Sequence, residues 1–252
     1  MSVSKQYAHN LSWQLFYTWS HSIDDASTNF SPIEAVNEPP TTQDPFDRKG
    51  SRGRSGFDVR HNFVANVVYE LPFGRRRGFV GWQLSAVARV HSNIPFTPVL
   101  SFDNADLQSL LTSERPNLVG NPYTGVCPNG SRVGTPSCWF NPSAFALPPP
   151  GQFGNAGRNI LRGPAFAQFD LALQKSFQVR EGTKITLGAE GYNLLNHPNF
   201  AVPSNTQSPL TLGGNGDAVF KDAAGNFANN AGRIFSTVGT GRQIQLTARL
   251  SF

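Results

Sequence analysis

Five histidines and two cysteines are the side chains of this 252-residue sequence best equipped for proton transfer, nucleophilic attack or metal binding. Their spacing supports none of these strongly. His9, His21, His61, His91 and His197 are scattered along the chain. No G-x-S-x-G, H-E-x-x-H, P-loop or complete G-x-G-x-x-G occurs, and Gly239-Thr-Gly241 precedes a strand-like run, so it reads as a turn. His21 beside Asp24 and Asp25 has the composition of an acid–base or metal site, but so short a polar run reads first as a solvated loop. Asp103, Asn104 and Asp106 offer oxygen ligands for calcium; a single short acidic cluster is more often a turn. Glu34, Glu38, Asp44 and Asp47 read the same way. Cys127 and Cys138 share one Gly- and Pro-rich segment, and no further Cys or His stands close enough to complete a metal site. They are expected to form a local disulfide in an oxidising compartment. Neither enzymatic activity nor a cofactor is expected.

The remaining chemistry is charge held in one phase. Asp58, Arg60, Glu70, Arg89, Asp170, Glu190 and Arg249 fall on alternate positions of apolar runs. Strand side chains alternate between faces, so these residues share the wet side of strands whose other side is greasy. The last twelve residues show it most clearly: Ile244, Leu246, Ala248, Leu250 and Phe252 oppose Gln243, Gln245, Thr247, Arg249 and Ser251. The same alternation predicts strands at about 11–21, 57–71, 82–95, 165–178, 184–195 and 241–252, and Ser2 to Gln6 has the look of a further strand tail. Residues 57–71 are long for a globular strand, where about 5–6 residues is usual, but suit a tilted strand crossing a bilayer. Charged residues make up only 15% of the sequence, below the roughly 25% of an ordinary soluble domain. No apolar run reaches the length of a spanning helix. The expectation is an all-β, antiparallel meander of six to seven long amphipathic strands in a transmembrane barrel. In that setting the seven charged strand residues would face the lumen, mostly as a hydrated wall network.

The connections alternate long and short. Loops at 22–56, 97–164 and 198–240 are rich in Gly, Pro and Asn, and at this density such residues do not make regular structure. The turns at 72–81 and 180–183 are brief. Membrane barrels carry long loops outside and short turns on the periplasmic side, which places Phe252 at the periplasmic end. The net charge of +5 is dispersed rather than gathered into a stripe with stacking aromatics, so no nucleic-acid partner is expected. The basic run Arg48 to Arg54 would lie at the outer rim, free in solvent or against lipopolysaccharide phosphates. Arg75-Arg76-Arg77 would lie at the opposite side, near inner-leaflet headgroups or periplasmic partners.

Several segments together resemble the TonB-dependent outer-membrane receptors, in particular the Oar-like type with a carboxypeptidase-regulatory-like N-terminal domain. They are Tyr17-Thr-Trp-Ser20 with Ser22-Ile-Asp-Asp-Ala-Ser27, Asp58-Val-Arg-His-Asn-Phe63, and Tyr69-Glu-Leu-Pro-Phe-Gly74. Gly81-Trp-Gln-Leu-Ser85, Ile94-Pro-Phe-Thr97, Glu190 to Phe200 and the ending Arg242 to Phe252 follow in the family's order. The resemblance implies a piece of a barrel of about 22 strands. It also implies uptake of a large or scarce solute energised by TonB acting through a plug, and recognition of Ile244, Leu246, Ala248, Leu250 and Phe252 by the barrel-assembly machinery. The family's signal peptide, N-terminal domain, TonB box and plug have no counterpart in these residues. Two other readings stay open: a non-transporting barrel or adhesin that binds through its loops, and a soluble β-sandwich carbohydrate-binding module.

Overall fold

A computed structural model of the chain describes residues 1–27, 42–72, 80–100, 102–107, 114–203 and 231–252. The alternating runs become seven strands: β1 Ser2–Ala8, β2 Leu11–Trp19, β3 His61–Glu70, β4 Trp82–His91, β5 Phe166–Arg180, β6 Thr183–Tyr192 and β7 Gln243–Ser251. They form one sheet in which spatial order equals sequence order, each strand antiparallel to the next. The sheet is open, with β1 and β7 as its edges among the described residues. The all-β antiparallel meander is therefore present, and it is not a sandwich: no second large sheet packs on it among the described residues.

Register makes the two faces continuous. Lys5, Trp13, Val67, Ala86, Leu171, Gly191 and Ile244 stand side by side across all seven strands. Alternation from that row puts Leu15, Tyr17, Phe63, Leu84, Leu173, Phe177, Leu187 and Leu246 on one face. It puts Gln14, Asn66, Arg89, Gln174, Thr186 and Arg249 on the other. A one-residue slip in any pair would mix the faces, so the pattern itself pins the register. At one end the connections are tight. His9 and Asn10 (φ 55° and 63°) turn β1 into β2 as a two-residue loop with both central residues left-handed, the geometry that matches strand twist. Glu181 and Gly182 (φ 75°) turn β5 into β6. Every long connection leaves from the opposite end.

Strand boundaries differ from the sequence expectation where loop chemistry intervenes. β3 begins at His61, not Phe57, because Asp58 is bonded into the preceding loop, its amide donating to the Ser55 carbonyl at 2.9 Å. β4 stops at His91, since Pro95–Phe96 leaves the sheet to pair with Leu161–Arg162. β6 ends at Tyr192, where Asn193 turns left-handed (φ 47°).

The core is not in the sheet. Phe96, Leu100, Phe140, Ala144, Phe145, Ala156, Leu161 and Ala231 form the buried apolar cluster, and all of them lie in loops. Phe140 meets Phe145 edge-on at 6.0 Å and Phe96 at a tilt at 5.9 Å, favourable aromatic geometries. Three two-residue ladders knit the surrounding chain: Ile23–Asp24 with Gly53–Arg54, Pro95–Phe96 with Leu161–Arg162, and Asn117–Leu118 with Phe145–Ala146. A 3-10 turn, Pro142–Ala144, is capped by the Asn141 side chain accepting from the Ser143 amide at 3.0 Å. Gly and Pro keep this segment from forming long elements, as expected, yet it packs into an ordered layer around its own aromatics.

Phe140→Ala should remove about 3–5 kcal/mol from this layer, the usual cost of deleting a buried Phe side chain. Hydrogen exchange checks it: amides in 96–100 and 114–164 should lose protection while those of β5 and β6 keep theirs.

Candidate functional site

The polar face collects most of the charged strand residues. Glu70, Arg89, Asp170, Glu190 and Arg249 sit on β3 to β7, and no ion pair joins any two of them among the described residues. Local bonds hold them instead. Asp170 accepts from the Asn193 amide at 2.8 Å and the Gln168 amide nitrogen at 2.9 Å. Glu190 accepts from the Tyr192 hydroxyl at 2.7 Å, and Glu70 from the Tyr7 hydroxyl. This is a hydrated-surface pattern with no convergent set of groups. Asp58 and Arg60 precede the strand and do not share that surface as strand residues. Asp58 is 6% exposed and accepts from His21 Nδ1 at 3.0 Å and the Ser22 amide at 2.8 Å.

On β7, Ile244, Leu246, Ala248 and Leu250 occupy the apolar face, opposite Gly191, Ala189, Leu187 and Ile185. Phe252 follows the strand and is 97% exposed. Lys175 breaks the phase of β5: it stands among the apolar residues, with its ammonium 5.3 Å from the ring centres of Trp82 and Phe177 and bonded to the Val80 carbonyl. The stem packs on aromatics while the charge reaches toward the short-turn end, a snorkelling arrangement. The sequence carries the signal for it, a cation within an apolar phase.

The loop layer is where polar groups converge. Arg158 is buried and donates to Ser51 O (2.8 Å), Ser27 Oγ (3.1 Å), Asp24 O (2.6 Å) and the Asp24 carboxylate. Burial alone would raise the Asp24 carboxyl, but hydrogen bonds from Arg158, Ser55 and Ser27 outweigh it and hold the group below its usual range. Asn159 donates to Arg54 O at 2.7 Å and shares two bonds with Thr97. Arg115 donates to Gly50 O at 3.0 Å, and Gln43 ties Arg115 to Gly154. These bonds fasten the loop at 22–56 onto that at 97–164. The third loop joins through Ala231 in the core and the Trp139 amide donating to Gly232 O at 2.6 Å. Cys127 and Cys138 are disulfide-bonded, both buried, with Cα atoms 6.0 Å apart. Nothing in the sequence pointed to Arg158, Arg115 or Asn159, because their partners lie tens of residues away.

The acidic candidates separate. His21 pairs with Asp58, Asp24 with Arg158, and Asp25 with Arg48 at 2.6 Å, the last an exposed pair worth little. Asp103 accepts from the Leu107 amide (2.9 Å), and Asn104 donates to Pro149 O and Gln152 O, so this segment serves a turn. Among the described residues no group of three His, Cys, Asp or Glu side chains is arranged to hold a metal ion. Glu34, Glu38 and Arg75 to Arg77 lie outside the described residues.

With this geometry in place, comparison with known proteins gives one result. The family model described as "Outer membrane beta barrel domain" matches residues 1–245. No curated protein and no solved structure matches the chain.

Glu114 supplies a pH test of the loop layer. It is 1% exposed; one carboxylate oxygen accepts from the Asn104 and Ala105 amides, and the Asp103 carboxyl lies within hydrogen-bonding reach. Burial first, then the Asp103 carboxyl, pushes it from 4.5 to about 7. A raised acid binds its proton more tightly when folded, so stability is fully present below 4.5 and declines as pH rises to about 7. Glu114→Gln keeps an oxygen for the two amides and removes the charge. It should raise the melting temperature near pH 8 and leave it unchanged near pH 4. Equal effects at both pH values would contradict the assignment.

Proposed function

This chain belongs to the outer membrane β-barrel domain family, and from that premise we propose that it is the barrel portion of a TonB-dependent receptor for a large or scarce solute. Its place is the outer membrane. The apolar face meets lipid, and the polar face, with Glu70, Arg89, Asp170, Glu190 and Arg249, lines a hydrated lumen as part of a barrel of about 22 strands. The loop layer lies outside the cell and the short turns lie in the periplasm. Exposed Arg48 and Arg52 lie in the rim loop, where lipopolysaccharide phosphates would meet them. β7 and Phe252 serve recognition by the barrel-assembly machinery. TonB acts through a plug contributed from outside these residues. No catalytic step is involved.

The observation that carries this reading is the loop layer. The second and third long connections share one apolar core, the second carries the disulfide, and buried arginine bonds fasten the first to it. Loops that merely capped a barrel would not need a core. A pre-built layer suits selective capture at the cell surface, and the residue patterns of β2 to β4 and β7 resemble those of TonB-dependent receptors. The same rigidity favours one competing reading, a non-transporting barrel that binds a surface through this layer.

The coding sequence leading into Met1 separates them. A reading frame continuous with a plug and a TonB box is expected, and the full-length protein should then bind the periplasmic domain of TonB. A frame with neither would contradict the receptor reading and leave the surface-binding barrel.

A further inference from the structure

Two adjoining cavities open where the loop layer meets the ends of β3 and β4. One, of about 310 Å³, is lined by Arg54, Arg60 and Arg162 together with Asp58. The other, of about 560 Å³, shares Arg54 and Arg162 and adds Tyr123 and Trp139. The backbones of the three arginines are fixed. Arg54 O accepts from Asn159 at 2.7 Å, Arg60 O from the Ser20 amide at 3.1 Å, and Arg162 O from the Trp139 indole at 2.7 Å. The Arg162 amide donates to the Tyr123 hydroxyl at 2.7 Å, which also fixes that ring.

Asp58 compensates the three charges only in part. None of the three guanidinium groups takes part in an ion pair among the described residues. Asp58, the one carboxylate lining the first cavity, spends its oxygens on His21 and the Ser22 amide. The structural arginines of the same layer behave differently, since Arg158 and Arg115 are bonded to carbonyls, hydroxyls and an amide oxygen. Arg54 feels the crowding: burial first, then the charges of Arg162 and Arg60, lower its pKa. Holding three like charges around a cavity costs energy that a bound anion would offset. Guanidinium forks match oxyanions bidentately, which lysines cannot do.

We propose that this cleft is a binding site for a multiply charged oxyanion of the phosphate type, held by Arg54, Arg60 and Arg162, with any uncharged body of the ligand lying against Tyr123 and Trp139. The site stands independently of TonB and of transport. Arg60 and Asn93 lie two residues beyond Asn62 and His91, which pair on the polar face, so the cleft continues the phase of that face into the loop layer. The phosphate can come from a soluble anion or from the headgroup of lipopolysaccharide.

The test uses the full-length protein purified in non-ionic detergent, titrated calorimetrically with inorganic pyrophosphate and, separately, with lipopolysaccharide micelles. Arg54→Gln/Arg162→Gln is compared with Arg132→Gln/Arg242→Gln, which removes the same charge from exposed positions. Heat-modifiable migration and an intact Cys127–Cys138 bond establish that each variant is folded. Should the glutamine variant fail that check, Arg54→Lys/Arg162→Lys replaces it, keeping charge and losing the fork. Saturable pyrophosphate binding, weakened about tenfold or more in the cleft variant and less than about twofold in the control, is expected. The same dependence seen only with lipopolysaccharide supports the site and assigns its phosphate to the lipid. Absence of saturable binding to both probes, or equal weakening by the control, overturns the proposal.

Discussion

Among the described residues no second layer packs over either face of the seven-stranded sheet, and the rest of the molecule follows from that. A soluble domain buries one sheet face against another layer. Here Tyr17, Phe63, Leu173, Phe177, Leu187 and Leu246 remain exposed on one continuous side. Exposed to water, so large an apolar surface would drive association. In an outer-membrane barrel it is the side that lipid solvates, while antiparallel ladders satisfy the backbone groups that lipid cannot. Interior charges of the strands therefore stay on the opposite side. Lys5 and Lys175 are the exceptions; Lys175 leans on Trp82 and Phe177 and sends its ammonium to a backbone carbonyl.

A sheet committed to two solvents has no room for a protein core, so the buried apolar groups collect at one end of it. Phe96, Phe140 and Phe145 do in the loops what facing layers do in soluble folds. The polar bookkeeping follows. Loops so rich in turns expose many carbonyls inside the layer; the donor fork of Arg158 satisfies two of them, and Arg115 one together with the Gln43 side-chain oxygen. Removing such a cation would strand carbonyls and a carboxylate together. The proposed cleft of Arg54, Arg60 and Arg162 uses the same residue type where no ion pair holds it among the described residues.

The strands were legible because lipid and water impose a strict period of two. Ile244 to Leu250 and Ile185 to Ala189 show the rule without exception, and β5 broke it only at Lys175. Boundaries were less legible: Asp58 fits the strand phase on paper, yet a bond to His21 keeps it in the loop. The loop core could not be read from sequence at all. Phe96, Phe140, Phe145 and Leu161 have no common period, and they meet only after some forty residues of irregular chain have closed. Arg158 bonded to Ser51 and Asp24 is the same problem in polar form. The membrane environment simplifies the sequence code of the strands and does nothing for that of the loops.

The central claim is that the two sides of this sheet face different solvents. Spin labels attached one at a time along β6, through Ile185→Cys, Thr186→Cys, Leu187→Cys and Gly188→Cys in the full-length protein in lipid bilayers, test it directly. The account predicts that labels at 185 and 187 collide with lipid-soluble oxygen and those at 186 and 188 with a water-soluble nickel complex. Equal access to the nickel complex at all four positions would contradict it.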